Sequence, residues 1–419
     1  MKMKLSPFCA SGQIVAPPSK SVAHRLLISA GLKRGKTLIK NVGDSADVKG
    51  TCSALSSLGA KIDLKGGNAT VIGIENTIQN GVLDCNESGS TLRFLMPVAC
   101  ALGANATFTG SEKLLSRPSG VLLDQLSRHG ITQSGWTLNG KLTGGRFEID
   151  ATVSSQYITG LLLALPILEQ DSEIVMQGNA VSKDYINITL SVLEKSGILY
   201  EKLGNSIIIK GNQEYKLPNE VTVEGDWSGS AFPLTLGAIS GEVTLLGLDI
   251  NSKQGDKEII CVLKKAGAKV EISGNRITVK KGELKGYCQD FENIPDLAPI
   301  CAVLSACANG ESTFTGIERL KIKESDRVKT TLDTLKSGGI TACEKDGKII
   351  IEGGKVNGGE YDGANDHRIV MSAAVLSAVA SGDSVINGYT AVNKSYPNFF
   401  EDYNLLGGKG KWRYLTAKN

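Results

Sequence analysis

Eight cations stand close to points where this chain is expected to turn helical: Lys20, Arg25, Arg93, Arg117, Lys323, Arg327, Arg368 and Lys394. A first helical turn ordinarily favours acids, because its unpaired N–H groups carry roughly half a positive charge. A cation there costs about 0.3–1 kcal/mol when exposed. One such residue would carry no meaning. Eight at matched places predict a site for at least two anionic groups, since helix N-termini and cations both favour anions. Two acids stand among them. Asp296 follows Pro295 at the start of an apolar stretch, and Glu324 lies between Lys323 and Arg327. An acid among cations stays ionised, so within hydrogen-bond reach it can take a proton from a hydroxyl.

Taken singly, each of these residues has a plain reading. Lys20 and Lys394 read as solvated surface, and Arg93 as a structural cation inside an apolar helix. KIKESDR reads as a charged helix face laced by i,i+3 and i,i+4 pairs. NDHR reads as a cap using Asn365 or Asp366, and Ser154–Ser155–Gln156 as another cap. His24 and His129 read as structural, and His367 as a residue at the edge of a site. The weight lies in the repetition.

That repetition has a period. Gly43, Gly110, Gly178, Gly247, Gly316 and Gly388 stand about 67–72 residues apart, each closing a short apolar run. Residues 85–150 show the unit. An apolar helix starts near NESGSTLR and stops at Gly103, and ATFTG follows as a strand. SEKLLSRPSGVLLDQLSRHG reads as a second, amphipathic helix with Pro118 in its first turn. ITQS and GRFEID read as the closing strands. The first helices of the six units begin near PSKSVAHR, NESGSTLR, VSSQYITG, GDWSGSAF, NIPDLAPI and NDHRIVMS. The second begin near GDSADVKG, LLSRPSG, VSKDYIN, SKQGDKE, KIKESDR and NKSYPNF, and the last unit is truncated. The cations fall at these two phases. Six mixed α/β units sharing cores in threes predict two similar domains, with the change near Val223–Asp226.

Bulk properties exclude several classes. The 419 residues exceed one ordinary core. Lys and Arg total 46 against 43 Asp and Glu, too balanced for a nucleic-acid coat or an acidic-membrane binder. No apolar run reaches the ~20 residues of a membrane span, and MKMKLSPFCASGQ lacks a signal peptide's apolar region. Nine scattered cysteines without a CxxC pair read as reduced thiols in a cytoplasm, and three histidines without HExxH argue against a histidine-built metal centre.

PSKSVAHR, SGSTLR, SRP, SSQY, SKDY, IPD, KESDR, NDHR and NKSYP occur in the order found in the 5-enolpyruvylshikimate-3-phosphate synthase family, and the resemblance covers essentially the whole chain. It implies an α/β fold: two similar domains, each of three βαβαββ repeats, forming an inside-out α/β barrel and closing on two substrates. Residues 1–16 plus 225–419 would form one domain and 17–224 the other. The implied reaction joins phosphoenolpyruvate to the 5-hydroxyl of shikimate 3-phosphate through a tetrahedral intermediate and releases phosphate. It belongs to the shikimate pathway of aromatic amino-acid biosynthesis. No cofactor, metal, nucleic acid or membrane is implied, and the expected form is a cytoplasmic monomer.

The resemblance also implies roles. Lys20 would face both substrates, and Ser21 and Arg25 would hold the shikimate carboxylate. Ser154, Ser155 and Ser182 would bind the phosphate of shikimate 3-phosphate, with Tyr185 and Lys323 nearby and Gln156 between the substrates. Gly89, Arg117, Arg327, Arg368 and Lys394 would bind phosphoenolpyruvate. Asp296 would accept the 5-hydroxyl proton, and Glu324 with Lys20 would handle protons at C3. Gly89 offers no side chain to a longer inhibitor, which implies glyphosate sensitivity.

Two other readings differ in class. UDP-N-acetylglucosamine enolpyruvyl transferases share the repeat architecture but carry a reactive cysteine on a first-domain loop. Cys85 and Cys100 are the nearest thiols here, and neither position suits that loop. A repeat protein used as a clamp would carry its cations on an outward stripe rather than at helix starts.

Overall fold

The computed structural model describes residues 1–178 and 183–408. The chain forms two compact units. One joins Met1–Pro17 to the chain from Gly225 onward, and the other is Pro18–Glu224. The chain therefore passes between units twice, at Pro17–Pro18 and at Glu224–Gly225.

Each repeat builds one small mixed sheet, and the sheets share a topology. In the repeat read above, Gly81–Asp84 runs parallel to Ala106–Thr109, which pairs antiparallel with Thr137–Gly140, which pairs antiparallel with Ile131–Ser134. Thr137–Gly140 thus takes the place expected for GRFEID. A two-residue turn with Gly135 at φ 60° returns the chain at once, as tight hairpins require. Gly145–Asp150 instead opens the next repeat, parallel to Ser172–Gln177. Among the described residues the sheets are separate, five of four strands and one of three, and none closes into a barrel.

Three strands complete repeats far away in sequence. Ser11–Val15 lies parallel to Glu242–Leu246, and Glu220–Thr222 parallel to Lys36–Lys40. Lys2–Leu5 pairs antiparallel with Ser384–Asn387, supplying a partner that the truncated last repeat lacks.

The first helix of every repeat is apolar around its circumference, and such helices are buried. Trp227–Ser240 is buried at all 14 positions, and Gly89–Ala101, Ser155–Ala164, Ala298–Ala306 and His367–Ser377 are buried along most of their length. Burying one large apolar side chain contributes about 1.5–3 kcal/mol. Close approach is enforced by composition. A Cβ on Gly160 would collide with the carbonyl oxygen of Arg93 on the neighbouring Gly89–Ala101 helix.

The second helices are amphipathic. The long helix expected around Pro118 is broken into Glu112–Ser116 and Gly120–Arg128. Proline disfavours helical geometry in the residue before it, and here Arg117 is extended at φ −70°, ψ 142°. Pro118 therefore lies outside the helix, and Ser119 is the N-cap of Gly120–Arg128.

Candidate active site

In the Pro18–Glu224 unit most of the candidate side chains stand where buried helices begin. Lys20 opens the Lys20–Leu32 helix, and its Nζ donates to Asp47 Oδ2 at 2.7 Å. Asp47 lies in the first turn of the second helix, Ala46–Ser57, capped by Ser45. The acid therefore follows the usual first-turn preference, and the cation beside it does not. Ser19 precedes Lys20 but makes no side-chain cap, and its hydroxyl is buried without a hydrogen-bond partner.

Arg25 is held by its own protein. Nε donates to Thr189 Oγ1 at 2.8 Å, Nη1 to the Ser21 carbonyl at 2.6 Å, and Nη2 to the Tyr185 carbonyl at 3.0 Å and Thr159 Oγ1 at 3.3 Å. The guanidinium also lies 5.0 Å above the Phe94 ring centre. Burial pushes its pKa down to about 9, so it stays cationic at neutral pH. Of five N–H groups, one on Nη1 is left for a ligand.

A second group gathers at the start of Gly89–Ala101. Ser88 caps it, accepting from the Thr91 N–H at 3.1 Å. A Cβ on Gly89 would stand 2.7 Å from Arg93 Nη1 and 3.0 Å from Arg117 Nη1. A side chain there would push the two guanidinium ends from these positions, which gives glycine a reason for its place in the motif. Arg93 Nη1 also donates to Gln156 Oε1 at 3.3 Å, Nη2 donates to the Pro118 carbonyl at 3.0 Å, and Gln156 Nε2 donates to Ser90 Oγ at 3.2 Å. Arg93, which read either as one of the anion-site cations or as a structural cation, ties together the elements carrying Gly89, Gln156 and Arg117. Ser154 caps Ser155–Ala164 through the Gln156 N–H at 3.2 Å, and Ser155 is buried. Tyr185 lies on Lys183–Lys195. Ser182 falls outside the described residues.

In the other unit a chain of alternating charges surrounds Asp296, which sits in the Pro295–Leu297 turn ahead of Ala298–Ala306. Asp296 Oδ1 lies 2.7 Å from Arg327 Nη1 and 3.6 Å from Lys323 Nζ, and Oδ2 lies 3.3 Å from Arg368 Nη2. Arg327 opens Arg327–Ser337 and is 1% exposed at its side chain. It also meets Glu324 Oε2 at 2.7 Å and Asp366 Oδ2 at 2.8 Å. Burial works against its charge, but Asp366, Glu324 and Asp296 together hold its pKa well above the ordinary value. Burial pushes Lys323 down, with Arg327 and Arg319 adding to that and Asp296 and Glu324 opposing it.

Asp366 was legible as a cap and is also a counter-ion. It accepts from the Arg368 N–H at 3.0 Å, from Ser325 Oγ at 2.9 Å and from two nitrogens of Arg327. Burial raises its pKa, yet Arg327 and His367 bring it below the usual carboxylate range. His367 is buried with Nδ1 3.9 Å from Asp366. Lys394 donates to the Asn365 carbonyl at 2.6 Å.

The two thiols relevant to the cysteine-dependent alternative are buried. Burial pushes Cys85 and Cys100 up to about 12, leaving neither as a nucleophilic thiolate at neutral pH. Among the described residues no group of three or more His, Cys, Asp or Glu could hold a metal, and no helix is long and apolar enough to cross a membrane.

Comparison with known proteins agrees with this chemistry. A family model described as EPSP synthase (3-phosphoshikimate 1-carboxyvinyltransferase) matches residues 9–403. A 3-phosphoshikimate 1-carboxyvinyltransferase of Clostridium novyi is 40% identical over 424 residues, covering 97% of both chains. That of Clostridium kluyveri is 41% identical over 418 residues, again 97% of both. The solved EPSP synthase of Acinetobacter baumannii superposes with a TM-score of 0.83 at 26% identity, over 98% of this chain and 100% of that one. The enolpyruvyl transferase NikO from Streptomyces tendae, at 16% identity, TM-score 0.79 and 98% of both chains, shares the fold.

Proposed function

The chain belongs to the EPSP synthase family, and from that premise we propose that it transfers the enolpyruvyl group of phosphoenolpyruvate to the 5-hydroxyl of shikimate 3-phosphate, releasing phosphate. The observation that carries the residue assignment is Asp296 bounded by Arg327, Arg368 and Lys323 at 2.7, 3.3 and 3.6 Å. A carboxylate so placed suits taking a proton, and the cations beside it suit holding a phosphate and a carboxylate.

In this reading Asp296 is the base for the 5-hydroxyl. While its oxygens are engaged by Arg327 and Arg368 it is a poor base, because neighbouring cations favour the ionised form. An anionic substrate that takes over part of those cations' hydrogen bonding restores its basicity. Base strength thus rises when phosphoenolpyruvate arrives, and a hydroxyl is not deprotonated without its acceptor. As the hydroxyl oxygen bonds to C2, C3 takes a proton, a role for Glu324 with Lys20. Collapse of the tetrahedral intermediate expels phosphate and returns a C3 proton to the same groups. Fixed cations stabilise the phosphate through both steps without reorganising.

Lys20, Gly89, Arg117, Gln156, Arg327, Arg368 and Lys394 are assigned to phosphoenolpyruvate. Lys20, Ser21, Arg25, Ser154, Ser155, Gln156, Ser182, Tyr185, Asp296 and Lys323 are assigned to shikimate 3-phosphate. Arg25, with one N–H to spare, makes a single hydrogen bond to the ring carboxylate. The working form is taken to be a cytoplasmic monomer; nine unpaired cysteines suit a reducing compartment.

The test is phosphate release from phosphoenolpyruvate with each substrate alone, with both, and with UDP-N-acetylglucosamine in place of shikimate 3-phosphate. Release only with phosphoenolpyruvate and shikimate 3-phosphate together, and its loss in Asp296→Ala, is the expected result. Release with UDP-N-acetylglucosamine instead would overturn the substrate assignment.

A further inference from the structure

Asp256 is a buried acid that the mechanism above does not use. Asp256 lies in the Gly255–Glu258 turn and is 5% exposed. Its Oδ2 accepts a hydrogen bond from the Ser228 hydroxyl. Ser228 sits in the first turn of Trp227–Ser240, a turn fixed by Asp226, which accepts from the Gly229 N–H at 2.7 Å. Ser228 Oγ also lies 2.6 Å from Arg368 Nη2.

The directions of these bonds follow from what each group can do. A guanidinium only donates, so Ser228 Oγ must accept from Arg368, and its single hydrogen is then spent on Asp256. The same Nη2 lies 3.3 Å from Asp296 Oδ2, and Nη1 donates to the Asp296 main-chain carbonyl at 3.1 Å. The guanidinium is therefore gripped between the proposed base and a hydroxyl that Asp256 orients. Burial raises the Asp256 pKa, with Asp296 and Asp226 adding to that and Arg368 and Ser228 opposing, to about 7. The arrangement works in both protonation states, because Oδ2 can accept from Ser228 when a proton sits on Oδ1.

We propose that Ser228 and Asp256 are positioning residues that fix Arg368 for phosphoenolpyruvate, Asp256 acting through the Ser228 hydroxyl. This rests on the assignment of Arg368 to phosphoenolpyruvate. A serine or acid needed only for packing would affect both substrates alike. A relay to Arg368 affects one.

The experiment is steady-state phosphate release by the full chain, with KM for each substrate and kcat measured separately. The variants are Ser228→Ala, Asp256→Ala, their double, Asp256→Asn and Arg368→Ala. Ser228→Ala and Asp256→Ala are each expected to raise the phosphoenolpyruvate KM about tenfold, with the shikimate 3-phosphate KM changed less than twofold. The double variant should be no worse than either single, since one chain is cut once. Asp256→Asn, which keeps an acceptor and the volume, should stay within threefold and remains informative if the alanine variants fold poorly. An unchanged phosphoenolpyruvate KM in Arg368→Ala would overturn the assignment of Arg368 and the relay with it. A raised KM in Arg368→Ala but not in Ser228→Ala would overturn the relay alone. Fully additive effects, or equal rises in both KM values with Asp256→Asn, would also overturn it.

Discussion

Asp366→Asn is the most demanding test of the charge cluster. The native carboxylate is 0% exposed and accepts four hydrogen bonds, two of them from Arg327. Asparagine preserves volume and one acceptor oxygen. It replaces the other oxygen with a donor and leaves the 1% exposed Arg327 with one counter-ion fewer. Removing one partner of a buried ion pair costs about 3–5 kcal/mol, and a weakened helix cap overlaps with that figure. For a unit of this size each kcal/mol lowers Tm by about 2–4 °C, so a fall of about 6–20 °C is expected. Differential scanning calorimetry measures it. Asp333→Asn, which breaks only the exposed Lys329 pair, serves as control and should leave the transition in place. The Asp366 pKa is depressed in the folded state, so its contribution is present above the unfolded value near 3.8 and is lost as pH falls through the folded one. The gap between native protein and variant should therefore persist at pH 5–8 and close only in stronger acid. A Tm within 2 °C of the native protein at pH 7 would refute the account of Arg327 as a buried cation held by Asp366.

Three further outcomes are expected. Gly89→Ala places a Cβ against Arg93 and Arg117, so the phosphoenolpyruvate KM should rise about tenfold, or ~1.4 kcal/mol, while that for shikimate 3-phosphate moves little. Asp47→Asn weakens the hold on the Lys20 ammonium, and kcat/KM measured by phosphate release should fall at least tenfold, given about 1.5–3 kcal/mol for a charged hydrogen bond. His24 is fully buried, and burial, then Lys20 and Arg25, keep its pKa well below 6.5. The unfolded chain gains a proton there that the folded chain does not, so stability falls as pH drops below about 6.5, by up to about 1.4 kcal/mol per pH unit. Urea titrations from pH 7 to 5 should show a flatter dependence for His24→Gln, and an identical slope would count against it.

The repeat was legible because each unit follows its buried first helix with a short apolar strand, and glycine closes that strand six times. Helix starts were legible for the same local reason: Ser88, Ser154, Asp226 and Asp366 all cap with their side chains. Partnerships across the fold were not. Arg25 is held by Thr159 and Thr189, on helices 134 and 164 residues away, and no local pattern announces that. Asp47 fell at the second helix phase and could have been flagged by that phase, but Lys20 drew the reading alone. Asp366 was visible as a cap, whereas its bond to Arg327 depends on packing. The break at Pro118 was missed because apolar spacing outweighed the proline rule, and GRFEID was assigned to the wrong repeat because the Gly135 turn leaves so short a connection.

The central claim is addition of a hydroxyl to the enolpyruvyl double bond followed by elimination of phosphate. Running the reaction in D2O with both substrates and weighing the product tests this directly. Transient protonation at C3 makes a methyl group, so the enolpyruvyl methylene of the product should carry deuterium. A product of unchanged mass, formed at a normal rate, would contradict the mechanism.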